Sequence, residues 1–119
     1  MCTPIAFVAV LAAACGSGEP AKPATGSGDA GFMTIAQAIL DDHYPRNPSV
    51  STDLGIHTYD DRLEDFSEAA VRNESQTLKG FLTQLAAIDP ATLTFDNVLD
   101  REFLIHELDG RVLELDTIR

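Results

Sequence analysis

Basic residues are scarce in this sequence, and the few that occur are scattered. The 119 residues include 8 Lys and Arg against 19 Asp and Glu, which gives a formal net charge of −11 at pH 7. Binding to nucleic acid or to anionic lipid requires clustered Lys and Arg that neutralise phosphate, and the chain has no such cluster. The composition therefore predicts no nucleic-acid partner and no attachment to a membrane by charge.

Sequence motifs of catalysis and metal binding are also missing. The chain contains neither a G-x-S-x-G nucleophile motif nor a phosphate-binding glycine loop. The segment HELDG has Gly110 where an H-E-x-x-H zinc motif requires its second histidine. The acidic run of residues 60–65 lacks the alternating ligands, the glycine and the closing glutamate of a calcium loop. We therefore predict no catalytic residue, no metal site and no cofactor in this chain.

The first 15 residues have the pattern of an export signal. An apolar run from Thr3 to Ala14 is too short to span a bilayer and ends at Cys15. A cysteine after three alanines resembles a bacterial lipoprotein signal, in which Cys15 would become the lipidated first residue. The alternatives are a plain secretory signal and a hydrophobic N-terminus that is no signal. We predict export to the bacterial cell envelope, with the lipid anchor as the only membrane contact. No disulfide is expected, because Cys2 would leave with the signal.

Residues 16–31 are rich in Gly, Pro, Ala and Ser. Such a segment buries too little apolar surface to offset the entropy lost on ordering, so we predict a flexible linker. Residues 32–119 then remain to fold, which is enough for one small domain or for part of a larger one.

The pattern of residues 32–119 predicts an all-α fold with three helices. The first is expected from Phe32 to His43, where Pro45 stops it. The second begins after the N-cap Ser67 and ends before Pro90. Its apolar residues fall on one side, as in an ordinary surface helix.

The third helix is predicted to start at Thr94 and to continue to the end of the chain. Its apolar residues form a stripe that covers more than half of the circumference: Val98, Ile105, Leu108, Val112 and Leu115, widened by Leu99, Phe103 and Leu113. A helix with so wide an apolar surface requires more than one packing partner. We interpret residues 32–119 as an incomplete helical domain whose third helix is covered by sequence not present here. In that interpretation the residues left uncovered in this chain are Val98, Ile105, Leu108 and Leu115. A self-contained three-helix lipoprotein is the alternative.

The irregular stretch between the first two helices contains the candidate site residues His57, Tyr59 and Asp60. One hypothesis places His57 and Tyr59 at the rim of a substrate groove, where they donate hydrogen bonds to substrate carbonyls. The alternative is structural: Gly55 adopts a special backbone angle, Tyr59 fills the core and Asp60 caps the turn.

Three series of residues in this order resemble one bacterial family. They are Pro48-x-x-x-Thr52-x-Leu54-Gly55-x-His57-x-Tyr59-Asp60, then Leu63-x-Asp65-x-Ser67, then the segment from Leu85 to Leu93. With the acidic, leucine-rich helix that follows, they resemble the N-terminal region of the family called domain of unknown function 885. Its members are commonly exported, often as lipoproteins, and are largely helical.

The resemblance implies a function that this chain would serve only in part. Members of the family look like zinc metallopeptidases whose metal-binding motif lies in a later half. The chain would then be the scaffold segment of a lipid-anchored metallopeptidase-like protein, inactive alone. Zinc, the peptide substrate and the remainder of the domain would belong to the full-length protein. The competing hypothesis is a small non-enzymatic periplasmic lipoprotein that acts as a helical interaction module.

Overall fold

The computed structural model describes residues 25–117, and this part of the chain is all-α, as predicted. It contains four α-helices and no strand: α1 (Asp29–Arg46), α2 (Pro48–Asp53), α3 (Glu68–Ala86) and α4 (Phe95–Thr117). Two short 3-10 turns, His57–Tyr59 and Pro90–Thr92, lie between them. The predicted export signal with Cys15, and the linker up to residue 24, fall outside the described residues.

Helices α3 and α4 form an antiparallel pair that supplies most of the core. Their polar contacts show the antiparallel register: Ser75 bonds Asp116 near one end, and Arg101 bonds the carbonyl of Leu85 near the other. Leu85 has no exposed surface and Leu78 is buried beside it. The apolar side predicted for the second helix is thus the side that packs inward.

Helix α1 packs against this pair and runs antiparallel to α3. Its first residue, Asp29, bonds Thr94 at the start of α4, and its last, Arg46, bonds Asn73 in the first half of α3. Phe32 and Ile39 point into the shared core. Side chains from α1, α3 and α4 together form that core: Phe32, Ile39, Leu78, Leu85, Leu108, Val112 and Leu115.

The predicted start of α1 and the predicted end of the linker are both wrong. The linker prediction extended to residue 31, but α1 begins at Asp29, and the Gly28 N–H donates to the Thr92 carbonyl at 2.9 Å. Gly26 and Gly28 lie so close to residues 92–94 that a Cβ on either would overlap Thr92. These glycines allow the backbone to approach the α3–α4 connection closely. Their high frequency in the sequence had instead indicated a flexible linker.

Pro45 does not stop α1 at His43, because the helix continues to Arg46. The proline lies in the last turn, where its missing N–H costs one helical hydrogen bond and the helix ends soon afterwards in any case. The Asn47 N–H then bonds the His43 and Tyr44 carbonyls at 3.1 and 3.2 Å.

Helix α2 makes the count four instead of three, and the sequence reading missed it. Pro48 stands in its first turn, where a proline fits because its φ is already helical and its N–H is not needed. The Gly55 and Ile56 N–H groups return to the Thr52 and Ser51 carbonyls at 2.9 and 2.8 Å. With Gly55 at φ 83°, this is a Schellman ending. The special backbone angle expected for Gly55 is therefore present.

Ser67 caps α3 as predicted. Its Oγ accepts a hydrogen bond from the Ala70 N–H at 3.2 Å, and the Asp65 carboxylate accepts the Ser67 N–H at 2.9 Å. The acidic Glu68 in the first turn complements the helix dipole.

Candidate functional site

Asp60 connects the turn that carries His57 to helix α2. Its Oδ1 accepts a hydrogen bond from the Thr52 hydroxyl at 2.6 Å, and its Oδ2 lies 2.9 Å from His57 Nδ1. The Thr52 bond, with the contact to His57, lowers the pKa of Asp60 below its usual range. A carboxylate in this position orients the imidazole and favours the tautomer with the proton on Nδ1. The remaining ring nitrogen, Nε2, can then accept a hydrogen bond.

Tyr59 lies in the same turn but makes a different contact. The Arg62 guanidinium stacks over its ring, 5.5 Å from the centroid. Tyr59 is half-buried and lies outside the hydrophobic core of the described residues, so it does not fill that core as the structural alternative proposed. The turn thus holds His57 and Asp60 as a pair and Tyr59 apart from them.

A groove of about 610 Å³ lies beside the loop of residues 62–67, between the end of α1, the start of α3 and the end of α4. Its floor includes Ala70, Val71 and Leu115. His57, Tyr59 and Asp60 do not line it. Their assignment to a substrate groove stays a prediction: His57 and Asp60 are exposed in the turn, and Tyr59 is half-buried there.

Three arginines line this groove, and each is paired with a carboxylate. Arg46 bonds Asp42 at 2.8 and 2.9 Å, and Arg62 contacts Asp61 at 3.3 Å. Arg111 bonds Glu74 at 2.9 Å and a second acid on α4 at 2.8 Å. Because these cations are already neutralised, the groove offers little attraction to an anionic ligand.

Residues 25–117 contain no group of three His, Cys, Asp or Glu side chains placed to hold a metal ion. His106 is exposed on α4, and the position one turn later is Gly110. Among these residues, His106 thus lacks the second histidine that an H-E-x-x-H zinc site requires.

Helix α4 is apolar on two opposite sides, and only one of them is covered. The sequence reading expected Val98, Ile105, Leu108 and Leu115 to be the uncovered set. In the structure Leu108 and Leu115 belong to the core, Ile105 packs against it, and Val98 is half-buried. The side chains left in solvent point the other way. We call them the outer face of α4: Phe95, Leu99, Phe103 and Leu113, which are 53–74% exposed.

The outer face follows from helical geometry. At 100° per residue, Phe95, Leu99, Phe103 and Leu113 fall within one quarter of the circumference, opposite Leu108 and Val112. His106 and Gly110 lie on the same strip. From Leu99 onwards the strip therefore has the alternating spacing of four and three residues that helix–helix seams use. Sequence reasoning found the wide apolar surface but assigned the wrong side of it to solvent.

Comparison with known proteins identifies no relative: no protein-family model, no curated protein and no solved structure matches this chain. Within residues 25–117, no helix combines the length and the apolar character needed to cross a bilayer.

Proposed function

We propose that residues 25–117 are the helical scaffold segment of a larger exported, lipid-anchored, metallopeptidase-like protein. In this role the segment supplies a packing surface and no catalytic group. The lipid anchor at Cys15 rests on the sequence pattern before it, and the metallopeptidase class rests on the family resemblance. The observation that supports a scaffold role is the outer face of α4.

The outer face is too apolar to be left in water without a cost. Full burial of a Leu or Phe side chain contributes about 1.5–3 kcal/mol. Because the four side chains are 53–74% exposed, the burial still unused represents roughly 4–8 kcal/mol. That sum is comparable to the lower part of the stability range of a small domain, about 5–15 kcal/mol. Contiguous apolar surfaces of this kind mark interaction sites in soluble proteins. A domain built to pack against more polypeptide would have such a face.

A second candidate function uses the same observation. In a non-enzymatic lipoprotein, the outer face would bind a separate protein of the cell envelope. The two functions differ in whether the covering polypeptide is covalently continuous with α4, and an experiment can separate them.

The experiment replaces Phe103 with a photo-crosslinking phenylalanine analogue in the protein produced by its own cells. The same analogue at Gln84, exposed on α3, is the control. A crosslink from position 103 to a segment of the same polypeptide outside residues 25–117 supports the scaffold. A crosslink to one separate, reproducibly identified protein favours the interaction module. No crosslink beyond that seen at position 84 would show the face uncovered and would overturn both.

The lipid anchor has a separate test. Mass spectrometry of the mature N-terminal peptide should find a diacylglyceryl group on Cys15 and no residues before it. A mature chain that starts elsewhere and carries an unmodified cysteine would show a plain secretory signal.

A further inference from the structure

We propose that the outer face of α4 receives a basic amphipathic helix. This inference rests on the proposed role of α4 as a packing surface, and it adds the chemistry of the segment that covers it.

Exposed acids border the apolar strip on both sides. Glu102 and Asp109 lie along one edge, and Asp96, Glu107 and Glu114 lie along the other. Within residues 25–117, Glu102 pairs with Arg101 and Glu114 pairs with Arg111, whereas Asp96, Glu107 and Asp109 form no ion pair. The face is therefore an apolar strip between two acidic margins.

The described part of the chain has no spare base to neutralise the three unpaired acids of these margins. All six of its Lys and Arg side chains are already within ion-pair distance of an acid: Arg46, Arg62, Arg72, Lys79, Arg101 and Arg111. The positive charge that complements the margins must therefore come from another segment or another chain.

A second copy of the same face is a poor occupant for the same reason. If two α4 helices met through their outer faces, acidic margins would oppose acidic margins in either orientation. Like charges placed together at an interface cost several kcal/mol and select against the pairing. A helix with Lys or Arg at its margins gains attraction where a second copy meets repulsion.

The shape of the face fits a helix. From Phe95 to Leu113 the strip is about 27 Å long at 1.5 Å per residue, which matches a partner helix of roughly 18 residues. Gly110 forms a gap in it, because a Cβ at that position would meet nothing within 4 Å. A glycine inside a helix costs about 1 kcal/mol relative to alanine, and no internal contact requires one here. The gap has room for one apolar side chain of the partner between Phe103 and Leu113.

The test uses two synthetic 18-residue peptides with leucines at heptad positions a and d. One has lysines at positions e and g, and the other has glutamates at the same positions. Each is labelled with a fluorophore and titrated with the full 119-residue chain, and binding is followed by anisotropy at low and at high salt. We expect saturable one-to-one binding of the lysine peptide that weakens with salt. The glutamate peptide should bind at least about tenfold more weakly.

Matched variants separate face-specific binding from attraction to an acidic protein. Leu99→Gln/Phe103→Gln should weaken the lysine peptide at least about tenfold, whereas Met33→Gln/Leu40→Gln, which removes two exposed apolar residues from α1, should not. Glu107→Gln/Asp109→Asn should weaken it more than Asp41→Asn/Asp53→Asn, which changes the net charge equally. Gly110→Leu, which fills the gap, should also weaken it.

Each result decides the inference. Equal binding of the two peptides, equal loss in the face and control variants, or binding that does not saturate would overturn it. So would a dimer that Phe103→Gln dissociates, because a second copy would then be the occupant. If Leu99→Gln/Phe103→Gln unfolds, the two charge variants test the inference instead, because they leave the core untouched. Loss of charge preference alongside a positive crosslink at position 103 refutes this inference and leaves the proposed function intact.

Discussion

The two apolar faces of α4 contain the same kinds of side chain but differ in what lies against them. On the inner face, Leu108, Val112 and Leu115 are 7–8% exposed and pack against α1 and α3. On the outer face, Leu99, Phe103 and their neighbours lie in solvent. Hydrophobicity alone does not distinguish the faces, because both are rich in Leu and Phe or Val.

The polar residues around each face do distinguish them. The inner face includes Arg101, which is 7% exposed and donates from Nε to the Leu85 carbonyl at 2.9 Å. That carbonyl lies in the last turn of α3, where helical partners are missing. Three of the acids that border the outer face, Asp96, Glu107 and Asp109, form no ion pair within the described residues. A buried polar side chain with a specific acceptor marks the covered face, and unpaired acids border the face left in solvent.

The largest expected effect tests the comparison directly, with the same substitution on each face. Leu108→Ala should lower the free energy of unfolding by about 2–5 kcal/mol, because it leaves a cavity between three helices. Leu99→Ala should change it by about 0.5 kcal/mol or less in the isolated chain. Urea denaturation followed by circular dichroism measures both. Equal losses would mean that the outer face is buried in solution and would break the comparison.

A smaller loss of stability is expected when the polar side chain of the inner face is replaced. Arg101→Met should lower the free energy of unfolding by about 1.5–3 kcal/mol, because a buried charged hydrogen bond to the Leu85 carbonyl is lost. Arg72→Met is the control, because Arg72 forms only an exposed ion pair with Glu68 and should cost at most about 1 kcal/mol. Thermal unfolding of both variants checks the difference. If Arg101→Met left the free energy of unfolding unchanged, the buried contact of Arg101 would not distinguish the covered face from the outer face.

Two glycines should respond to alanine with opposite signs. Gly110→Ala on the outer face should raise the free energy of unfolding by about 0.5–1 kcal/mol, because helix propensity improves and the space is open. Gly55→Ala should lower it by about 1 kcal/mol, since the positive φ of the Schellman ending disfavours a Cβ. Chemical denaturation resolves both changes. A destabilising Gly110→Ala would show that something already fills the gap in the isolated chain.

The smallest expected effect is on stability at low pH, through the contact of Asp29 with the start of α4. Asp29 is 6% exposed, and hydrogen bonds from Asn97 and the Thr94 N–H lower its pKa below the usual range. A carboxyl with a lowered folded-state pKa stabilises the fold above its unfolded pKa near 3.9, and the contribution is lost as pH falls through the folded value. With Asp29→Asn, the free energy of unfolding should therefore fall less steeply as the pH drops below about 4.

The flattening should be partial, because Asp60, Glu64 and Asp65 also have lowered pKa values. Denaturation midpoints from pH 7 down to pH 2 provide the measurement. An acid limb in Asp29→Asn that runs parallel to that of the unchanged chain would contradict the assignment.

Local signals explain which parts of the fold were predictable. Ser67 and Glu68 indicate the start of α3, and the spacing of its apolar residues predicts the buried side. Both signals were readable because caps and periodicity depend on residues that are close in the sequence. Helix α2 escaped prediction because six residues are too few to show a period. The inner and outer faces of α4 could not be told apart, because the choice depends on where α1 docks.

Contacts between residues far apart in the sequence were less accessible to prediction for a related reason. His57 and Asp60 are three residues apart, so their pairing was within reach of the sequence. The contacts of Asp29 were not, because Thr94 is 65 residues away and no local pattern links them. The same separation explains why Gly26 and Gly28 were assigned to a flexible linker.

The contact between Asp29 and Thr94 also has a consequence for how the chain folds. Arg101 and Leu85 are 16 residues apart, whereas Asp29 and Thr94 are 65 apart. Closing a longer loop loses more chain entropy, so the α3–α4 hairpin should form first and α1 should dock onto it late. Folding rates should then respond strongly to Leu85→Ala and weakly to Phe32→Ala, whose effect would lie mainly in faster unfolding. The order of assembly would run backward along the chain, with the first helix the last to arrive.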